Sequence, residues 1–373
     1  MPGFDLVIVG AGIVGCACAL EAARAGLRVV IVERGVVVGG GTTAAGMGHV
    51  VVMDDSPAQL ALTAYSRSLW RTMAPELPAG VEYEARGTLW IAADDEEMAE
   101  VFSKQTTYAQ AGIASQVLDP HGLAEAEPYL RSGLAGALLV PDDGVLYPPV
   151  AAEYFLSEAR RLGVVFLSDH EVVRCGKGRI QFANGTSIEA ERILLASGAS
   201  IDLLPSLPIQ KRKGHLLITD RYPGVVSHQL VELGYLKSAH KLTADSVAFN
   251  IQPRLTGQLL IGSSRQYGDE SREINHAILR SMLERAIEYM PCLKGLSGIR
   301  VWTGHRAATA DKLPLIGPTA DPTLFLAMGF EGLGITNAPG AAVLAIDALL
   351  GRASIIDAAP YLPSRIQQEA VHA

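Results

Sequence analysis

The stretch FDLVIVGAGIVGCACALEAARAGLRVVIVE, which runs from Phe4 to Glu33, carries the strongest indication of the fold. Apolar runs at its two ends predict two buried strands, and the segment CACALEAARAG between them predicts a helix. Gly10, Gly12 and Gly15 lie at the turn between the first strand and the helix. This order of strand, glycine turn, helix and strand predicts a βαβ unit of the dinucleotide-binding type.

Each glycine of the turn has a physical task in such a unit. Gly10 allows the tight turn, Gly12 lets the backbone approach a pyrophosphate, and Gly15 lets the helix pack closely on the strand. The helix N-terminus offers free N–H groups and the positive end of its dipole to the phosphates. Glu33 is placed to accept hydrogen bonds from ribose hydroxyls, and a carboxylate there disfavours the extra phosphate of NADP. Glycine-rich turns are common, so a βαβ unit without a ligand is the alternative.

The composition is that of a folded, acidic protein. The chain has 373 residues, of which 49% are hydrophobic and 19% charged. At roughly 100–200 residues per domain, that length suggests two or three domains. Lysine and arginine total 31 against 39 aspartates and glutamates, which gives a net charge of −8. Because the chain is acidic and has no block of basic residues, we expect no binding to nucleic acid.

The sequence gives no reason to expect a metal site, a disulfide framework or a membrane span. Its four cysteines include no CxxC pair, and no histidines have HxxxH or HExxH spacing. The apolar N-terminal stretch follows Asp5 rather than lysine or arginine, so a signal peptide is not expected. Glu331, Asp347 and several glycines interrupt the second apolar stretch, at 324–350. We therefore expect a cytoplasmic protein.

A second glycine-rich stretch, GVVVGGGTTAAGMGHVV at 35–51, bears on the nature of the dinucleotide. It is too rich in glycine for a helix and too apolar for a linker. Such a loop fits close approach of the backbone to a large ligand, with Thr42 and Thr43 near phosphate or ribitol and with Gly46 and Gly48 beside them. The loop therefore favours FAD over NAD. A flexible surface loop is the alternative.

The ordered set of motifs resembles a known family over nearly the whole chain. The chain is similar to the D-amino-acid oxidase, glycine oxidase and sarcosine oxidase group of FAD-dependent amine oxidoreductases. The segments GGGTTAAGMGHVVVMDD and GFEGLGITNAPGAAVLAIDALLG look closest to the β subunits of multi-subunit dehydrogenases. Those include D-hydroxyproline dehydrogenase, opine oxidase, heterotetrameric sarcosine oxidase and hydrogen cyanide synthase.

The resemblance implies an α/β fold in which a Rossmann-like FAD-binding domain is interleaved with a smaller substrate domain built on an antiparallel sheet (α+β). The expected FAD-binding domain is discontinuous and comprises residues 1–85, 145–205 and 307–373. The expected substrate domain, or cap, comprises residues 86–144 and 206–306.

The resemblance also assigns parts of the FAD site. The strand of RILLASGAS, which includes Gly198, is expected to run under the cofactor, and the backbone near Val173 to hold adenine. The flavin pyrimidine is expected at Gly332, Gly334, Ile335 and Thr336, where a helix N-terminus stabilises negative charge on the reduced ring. Monomeric sarcosine oxidases attach FAD to a cysteine beyond the catalytic arginine. This chain has no cysteine after Cys292, so noncovalent FAD is expected.

Two residues are candidates for the substrate site. In the family, an arginine before the D-x-x-P-x-I-G stretch binds the substrate carboxylate, and Arg306 in VWTGHRAATADKLPLIGP matches that place. A surface arginine paired with Asp311 is the alternative. His49 could face the flavin or the substrate, or it could be a satisfied histidine at a domain seam. Simple family members have a tyrosine on the substrate hairpin where this chain has Asn250, which argues against a simple glycine-oxidase pocket.

The favoured function is an FAD-dependent dehydrogenase that oxidises the C–N bond of a D-amino acid or secondary amine. The resemblance favours cis-4-hydroxy-D-proline, with partner subunits that carry FMN, FAD or an iron–sulfur cluster and accept the electrons. One alternative is a self-sufficient oxidase of glycine-like or sarcosine-like amines that releases peroxide. Another is a non-catalytic FAD-bearing relay subunit, and an NAD-dependent dehydrogenase is the last.

Overall fold

The computed structural model describes residues 3–234 and 245–366. The expected domain ranges also include 1–2, 235–244 and 367–373, which lie outside the described residues. The described helices are α1 (Ile13–Arg24), α2 (Thr42–Ala45), α3 (Pro57–Met73), α4 (Asp95–Gln110), α5 (Pro120–Ala126), α6 (Pro148–Arg161), α7 (His276–Tyr289) and α8 (Gly334–Leu350). The described strands are β1 (Phe4–Val9), β2 (Val29–Val32), β3 (His49–Val50), β4 (Thr88–Ala92), β5 (Gln116–Leu118), β6 (Gly136–Val140), β7 (Gly144–Val145), β8 (Val165–Leu167), β9 (Val172–Gly176), β10 (Arg179–Phe182), β11 (Ser187–Leu195), β12 (Gln210–Arg221), β13 (Gln229–Glu232), β14 (Ser246–Pro253), β15 (Gln258–Arg265), β16 (Gly298–Ala308), β17 (Leu315–Pro318) and β18 (Leu324–Met328).

The first sheet has the order β17-β18-β11-β1-β2-β8, with β10 paired to β11 and β9 paired to β10. Strands β18, β11, β1, β2 and β8 are parallel. Leu6 and Ile8 of β1 belong to the core under α1, α6 and α8, whereas Val7 and Val9 belong to the core on the opposite face. Burial on both faces explains why β1 is a continuous apolar run rather than an alternating one.

The glycine turn between β1 and α1 is held by close backbone contacts. Gly10 has a φ of +107°, a conformation that disfavours side chains. A Cβ on Gly15 would lie 1.9 Å from the Gly10 carbonyl oxygen, so α1 can pack at this distance only with glycine there. These contacts agree with the roles expected for Gly10 and Gly15.

The second sheet has the order β16-β12-β15-β14-β13-β4-β6-β5. Its pairs are antiparallel except for β13 with β4, which is parallel, so the expected antiparallel sheet is wrong for that pair. The parallel pair is possible because a long stretch of chain, rather than a hairpin, connects β4 to β13. Helix α7 packs on β14 and β15, where the rings of Tyr289 and Phe249 stack with centroids 4.6 Å apart.

The two sheets confirm the expected α/β fold class. The strands of the first sheet lie within the ranges expected for the FAD-binding domain, and β16 crosses the expected boundary between 306 and 307. Both sheets have eight strands. Among the described helices, none is long and apolar enough to cross a membrane.

The glycine-rich stretch at 35–51 contains a helical turn, α2, although its composition argued against any helix. Two contacts hold this turn in place. The backbone N–H of Ala44 donates to the Gly39 carbonyl, and the Thr43 hydroxyl accepts from the N–H of Ile13 at the start of α1. The stretch is therefore bound to the glycine turn and is not a free surface loop.

Candidate functional site

A cleft runs from the glycine turn before α1 to the second sheet. It encloses about 1670 Å³ outside the protein atoms, part of which is open to solvent. Residues that the sequence indicated separately meet in its lining, namely Gly12, Thr42, Thr43, Gly46, Gly48, His49, Gly198, Gly332, Gly334, Ile335 and Arg306.

Glu33 lies at the end of β2, outside the lining of the cleft. The backbone N–H of Ala11 donates to Glu33 Oε2 at 2.8 Å, and that of Gly35 donates to Oε1 at 3.0 Å. Each carboxylate oxygen can accept a further hydrogen bond. The glycine turn thus holds the carboxylate in one orientation at the carboxyl ends of the parallel strands, where α/β sheets bind nucleotides.

Four other expected cofactor residues lie outside the lining of the cleft, namely Gly10 and Gly15 of the glycine turn, Val173 and Thr336. Val173 is on β9 with 46% of its surface exposed. Thr336 is buried in the first turn of α8, where its hydroxyl donates to the His49 carbonyl and accepts from the Val51 N–H. The Thr336 side chain therefore ties α8 to β3 rather than facing a ligand.

The two threonines of α2 also bind protein. The Thr42 hydroxyl donates to the His305 carbonyl at 2.9 Å, and the Thr43 hydroxyl caps the N–H of Ile13 at 3.1 Å. Both residues line the cleft, but their hydroxyls hold α2 between α1 and β16. We infer that their main effect on a ligand is to fix the shape of its cradle.

Arg306 lies on β16, opposite Arg212 of β12. Its Nη1 donates to the Ser264 carbonyl at 2.9 Å, which is the guanidinium's one hydrogen bond to the described part of the chain. The alternative pairing with Asp311 is wrong, because Asp311 binds Arg365, whose Nε lies 2.7 Å from Oδ2. The Nε and Nη2 edge of Arg306 therefore has donors left for a carboxylate.

The absence of a side chain at Gly214 makes room for this guanidinium. A Cβ on Gly214 would lie 2.6 Å from Arg306 Nη1 and 3.1 Å from its Cζ. The nearest atoms belong to the far end of a flexible side chain, so a methyl group would displace Arg306 rather than the backbone.

We expect Gly214→Ala to lower kcat/KM for a carboxylate-bearing substrate about tenfold, the cost of one misplaced hydrogen bond of about 1.4 kcal/mol. Steady-state kinetics and thermal unfolding would be measured together. Gly295→Ala is the matched control, since a Cβ there meets nothing within 4 Å. An unchanged KM in Gly214→Ala would contradict the assigned position of Arg306.

His49 lies on β3 and lines the cleft beside Arg306. Its Nε2 is buried and has no hydrogen-bond partner among the described residues. Burial, together with the positive charge of Arg306, lowers the pKa of His49 to about 3. The imidazole is therefore neutral at physiological pH, and its buried Nε2 has hydrogen-bonding capacity that the described residues leave unused.

The lowered pKa of His49 predicts a specific sensitivity to acid. Between its ordinary pKa of 6.5 and its folded pKa of about 3, the unfolded chain binds a proton that the folded chain rejects. The free energy of unfolding therefore falls as pH drops through this window, by about 1.4 kcal/mol per pH unit. When the pH falls from about 6.5 to 5, the free energy of unfolding of the His49→Gln protein should fall by about 2 kcal/mol less than that of the unsubstituted protein. Urea unfolding measures both values. An equal fall in the free energy of unfolding of the two proteins would show that His49 is accessible to protons in the folded state.

Sequence reasoning missed a buried ionic network beside Arg306. Arg212 Nη1 lies 3.2 Å from Glu331 Oε1, and Arg265 Nε lies 3.7 Å from the same oxygen. Burial alone would raise the pKa of Glu331, but the charges of Arg265, Arg306 and Arg212 together lower it. Glu331 was visible inside the quoted GFEGLG loop. The two arginines come from separate strands of the second sheet and gave no local signal.

The family model for FAD dependent oxidoreductase (DAO) matches residues 5–348 of this chain. The chain belongs to this family. FAD is therefore its cofactor, as expected, and the nicotinamide alternative is set aside. The protein is an FAD-dependent oxidoreductase.

Relatives of the family match along nearly their whole length. Glycine oxidase of Geobacillus kaustophilus is 27% identical over 97% of this chain and 97% of its own. Hydrogen cyanide synthase subunit HcnC of Pseudomonas aeruginosa is 25% identical over 98% and 97% of the two chains.

Solved structures agree with this assignment. The Geobacillus kaustophilus glycine oxidase structure has a TM-score of 0.85 at 26% identity, over 96% of this chain and 98% of that one. L-Proline dehydrogenase from P. horikoshii has a TM-score of 0.85 at 22% identity, over 98% of both chains, and shares the fold.

The described residues fit FAD. A Cβ on Gly12 would meet one neighbouring atom, Thr43 Oγ1, at 3.4 Å, so the space beside this backbone is open to a ligand. No side chain caps the N-terminus of α8, whose first residues line the same cleft. The four cysteines all lie in the described residues and none lines the cleft, in agreement with noncovalent binding.

Proposed function

We propose that this chain is the catalytic subunit of a dehydrogenase that oxidises the C–N bond of a small D-amino acid or cyclic secondary amine. The favoured substrate is cis-4-hydroxy-D-proline. The observation that carries the proposal is Arg306, whose free donor edge lies in the cleft beside a neutral His49.

Arg306 supplies the anchor for the substrate carboxylate. A guanidinium can hold a carboxylate through two parallel N–H···O bonds. This arrangement fixes the position of the substrate's α-carbon as well as that of its charged carboxylate. Bound FAD supplies the chemistry, because its flavin ring accepts a hydride from the carbon next to nitrogen. In this assignment, Gly12 and Glu33 hold the adenosine and pyrophosphate part, and Gly332, Gly334 and Ile335 face the flavin ring.

The charges of the cleft also favour the reactive form of the substrate. An amine must be neutral to lose a hydride, but a free amino acid carries an ammonium group at neutral pH. Arg212, Arg265 and Arg306 outnumber the Glu331 carboxylate beside them, and like charge lowers the pKa of a bound ammonium. His49 is neutral and adds no competing charge. The network thus promotes loss of the proton to solvent without a dedicated base.

Two candidate functions differ in their electron acceptor. Similarity to a protein named as a subunit of hydrogen cyanide synthase supports a role as one subunit of a larger dehydrogenase. Similarity to glycine oxidase supports a second candidate, an oxidase that passes electrons to oxygen. Peroxide release by the isolated chain in air, with substrate present, distinguishes the second candidate from the first.

The proposed activity is tested by the visible spectrum of purified, FAD-loaded protein under anaerobic conditions. Spectra would be recorded before and after addition of D-amino acids, imino acids, N-methylglycine and opines. Bleaching of the flavin bands by a D-amino acid or imino acid supports the proposal. A flavin that no member of the panel bleaches, but that a low-potential dye reduces, would contradict it and favour a relay subunit.

A further inference from the structure

The cleft wall formed by the second sheet carries buried polar atoms that the catalytic assignment leaves unused. Trp90, Gln229 and Asn250 all line the cleft and are 2%, 1% and 8% exposed. Trp90 Nε1, Gln229 Oε1 and Asn250 Oδ1 have no hydrogen-bond partner among the described residues. Leaving a buried polar atom unpaired costs about 1–3 kcal/mol, so these atoms call for a ligand or water that pairs with them.

Strand register places these three side chains on one face of the sheet. Trp90 of β4 pairs with Val231 of β13, and Val231 pairs with Asn250 of β14. Gln229 lies two residues before Val231 and therefore points to the same face. It is a diagonal neighbour of both Trp90 and Asn250, at a separation of about 7–8 Å that long side chains can bridge.

The unpaired atoms define the chemistry of the group they would bind. An indole N–H donates and an amide oxygen accepts, so the group must accept one hydrogen bond and donate another. A carboxylate cannot donate to the amide oxygens, and an ammonium cannot accept from the indole. A neutral hydroxyl satisfies both requirements, because it accepts from the indole N–H and donates its one proton to one of the two amide oxygens.

We propose that Trp90, Gln229 and Asn250 form a subsite that recognises a neutral hydroxyl on the substrate, remote from the carboxylate held by Arg306. The inference rests on the proposed function, because it assumes an amino acid anchored at Arg306. The subsite makes hydroxylated amino acids the preferred substrate class over their deoxy analogues.

The test compares hydroxylated and deoxy substrates with the FAD-loaded protein under anaerobic conditions. The pairs are cis-4-hydroxy-D-proline with D-proline, D-serine with D-alanine, and D-threonine with D-2-aminobutyrate. The rate of flavin bleaching gives the preference, and the change in the flavin spectrum on binding gives the affinity. We expect the hydroxylated member of at least one pair to be preferred about 10- to 100-fold.

Variants assign that preference to the subsite. Asn250→Leu and Gln229→Met keep the approximate size of each side chain, and the one that removes the amide oxygen accepting from the hydroxyl should lower the preference ratio to about threefold or less. Gln252→Met is the matched control, because Gln252 is equally buried on β14 and also has an unpaired Oε1 but does not line the cleft. It should keep the preference of the unsubstituted protein.

The outcomes separate this inference from the proposed function. If deoxy and hydroxylated substrates bleach the flavin equally, the wall binds water and the subsite is refuted while the proposed function stands. The subsite is also refuted if the preference is present and both variants retain it. If no amino acid of the panel bleaches the flavin, the proposed function fails and the subsite fails with it.

Discussion

Replacement of Arg306 by alanine lowers kcat/KM for an amino-acid substrate by about 10²- to 10⁴-fold with an artificial dye as acceptor. Two charge-assisted hydrogen bonds, each worth about 1.5–3 kcal/mol, are lost with the guanidinium, which gives about 3–6 kcal/mol. Because the carboxylate is bound in both ground and transition states, much of the loss should appear in KM. Steady-state kinetics, together with anaerobic binding titrations, measures the two contributions.

Two further variants define what the guanidinium contributes. Arg306→Lys keeps the charge but loses the planar fork, so its activity should fall between those of the unsubstituted protein and the Arg306→Ala protein. Arg300→Ala is the control on the same strand, since Arg300 is exposed and lies against the ring of Trp302. Full activity of the Arg306→Ala protein in its complex would refute the carboxylate anchor and favour a relay role.

Arg67→Met destabilises the protein by about 3–5 kcal/mol, because it leaves a buried carboxylate without its ionic partner. Arg67 on α3 and Asp143 are 6% and 0% exposed, and Arg67 Nη1 lies 2.7 Å from Asp143 Oδ1. The same carboxylate oxygen accepts from the backbone N–H of Val52, which precedes the cleft residue Met53. Loss of the pair should therefore loosen this wall of the cleft as well as the fold.

The direction in which the destabilisation by Arg67→Met changes with pH shows whether an unpaired Asp143 carboxylate causes it. Burial raises the pKa of Asp143 to about 6, and Arg67 opposes that rise. Without Arg67 the pKa rises further, so the folded variant binds a proton that the unfolded chain releases near neutral pH. The deficit of Arg67→Met should therefore shrink as pH falls towards about 6, and should change little below that, where the unsubstituted protein also protonates Asp143.

Thermal unfolding at several pH values tests this expectation for Arg67→Met. The double variant Arg67→Met with Asp143→Asn should recover part of the stability that Arg67→Met loses. Arg71→Met, one turn along the same helix, removes an exposed ion pair with Asp142 and should cost less than about 1 kcal/mol. Equal destabilisation by the Arg67 and Arg71 substitutions would contradict the buried-pair account.

The nucleotide end of the site could be predicted from sequence because its parts are local. Gly10, Gly12, Gly15 and Glu33 occur within one strand–turn–helix–strand unit, and each position follows from backbone geometry. The role of Arg306 was expected in a different way, because the motif that follows it resembles that of the family.

The substrate end could not be predicted in the same way because strand pairing creates it. Gln229, Asn250 and Trp90 lie on three strands, and only their register places them on one face. Arg212 and Arg265 likewise meet Glu331 across long sequence separations. A single polar residue in a strand reads as solvent-facing until the strand is known to be buried.

The role of Arg306 as a carboxylate anchor is best tested by the rate of anaerobic flavin bleaching by D-proline and by pyrrolidine, the same ring without its carboxylate. cis-4-Hydroxy-D-proline and 3-hydroxypyrrolidine form a second pair with the same difference. We expect each amino acid to be faster than its amine by about 10²-fold or more, and Arg306→Ala to abolish this advantage. Equal rates for acid and amine in the unsubstituted protein would contradict the assignment of Arg306 and the substrate class built on it.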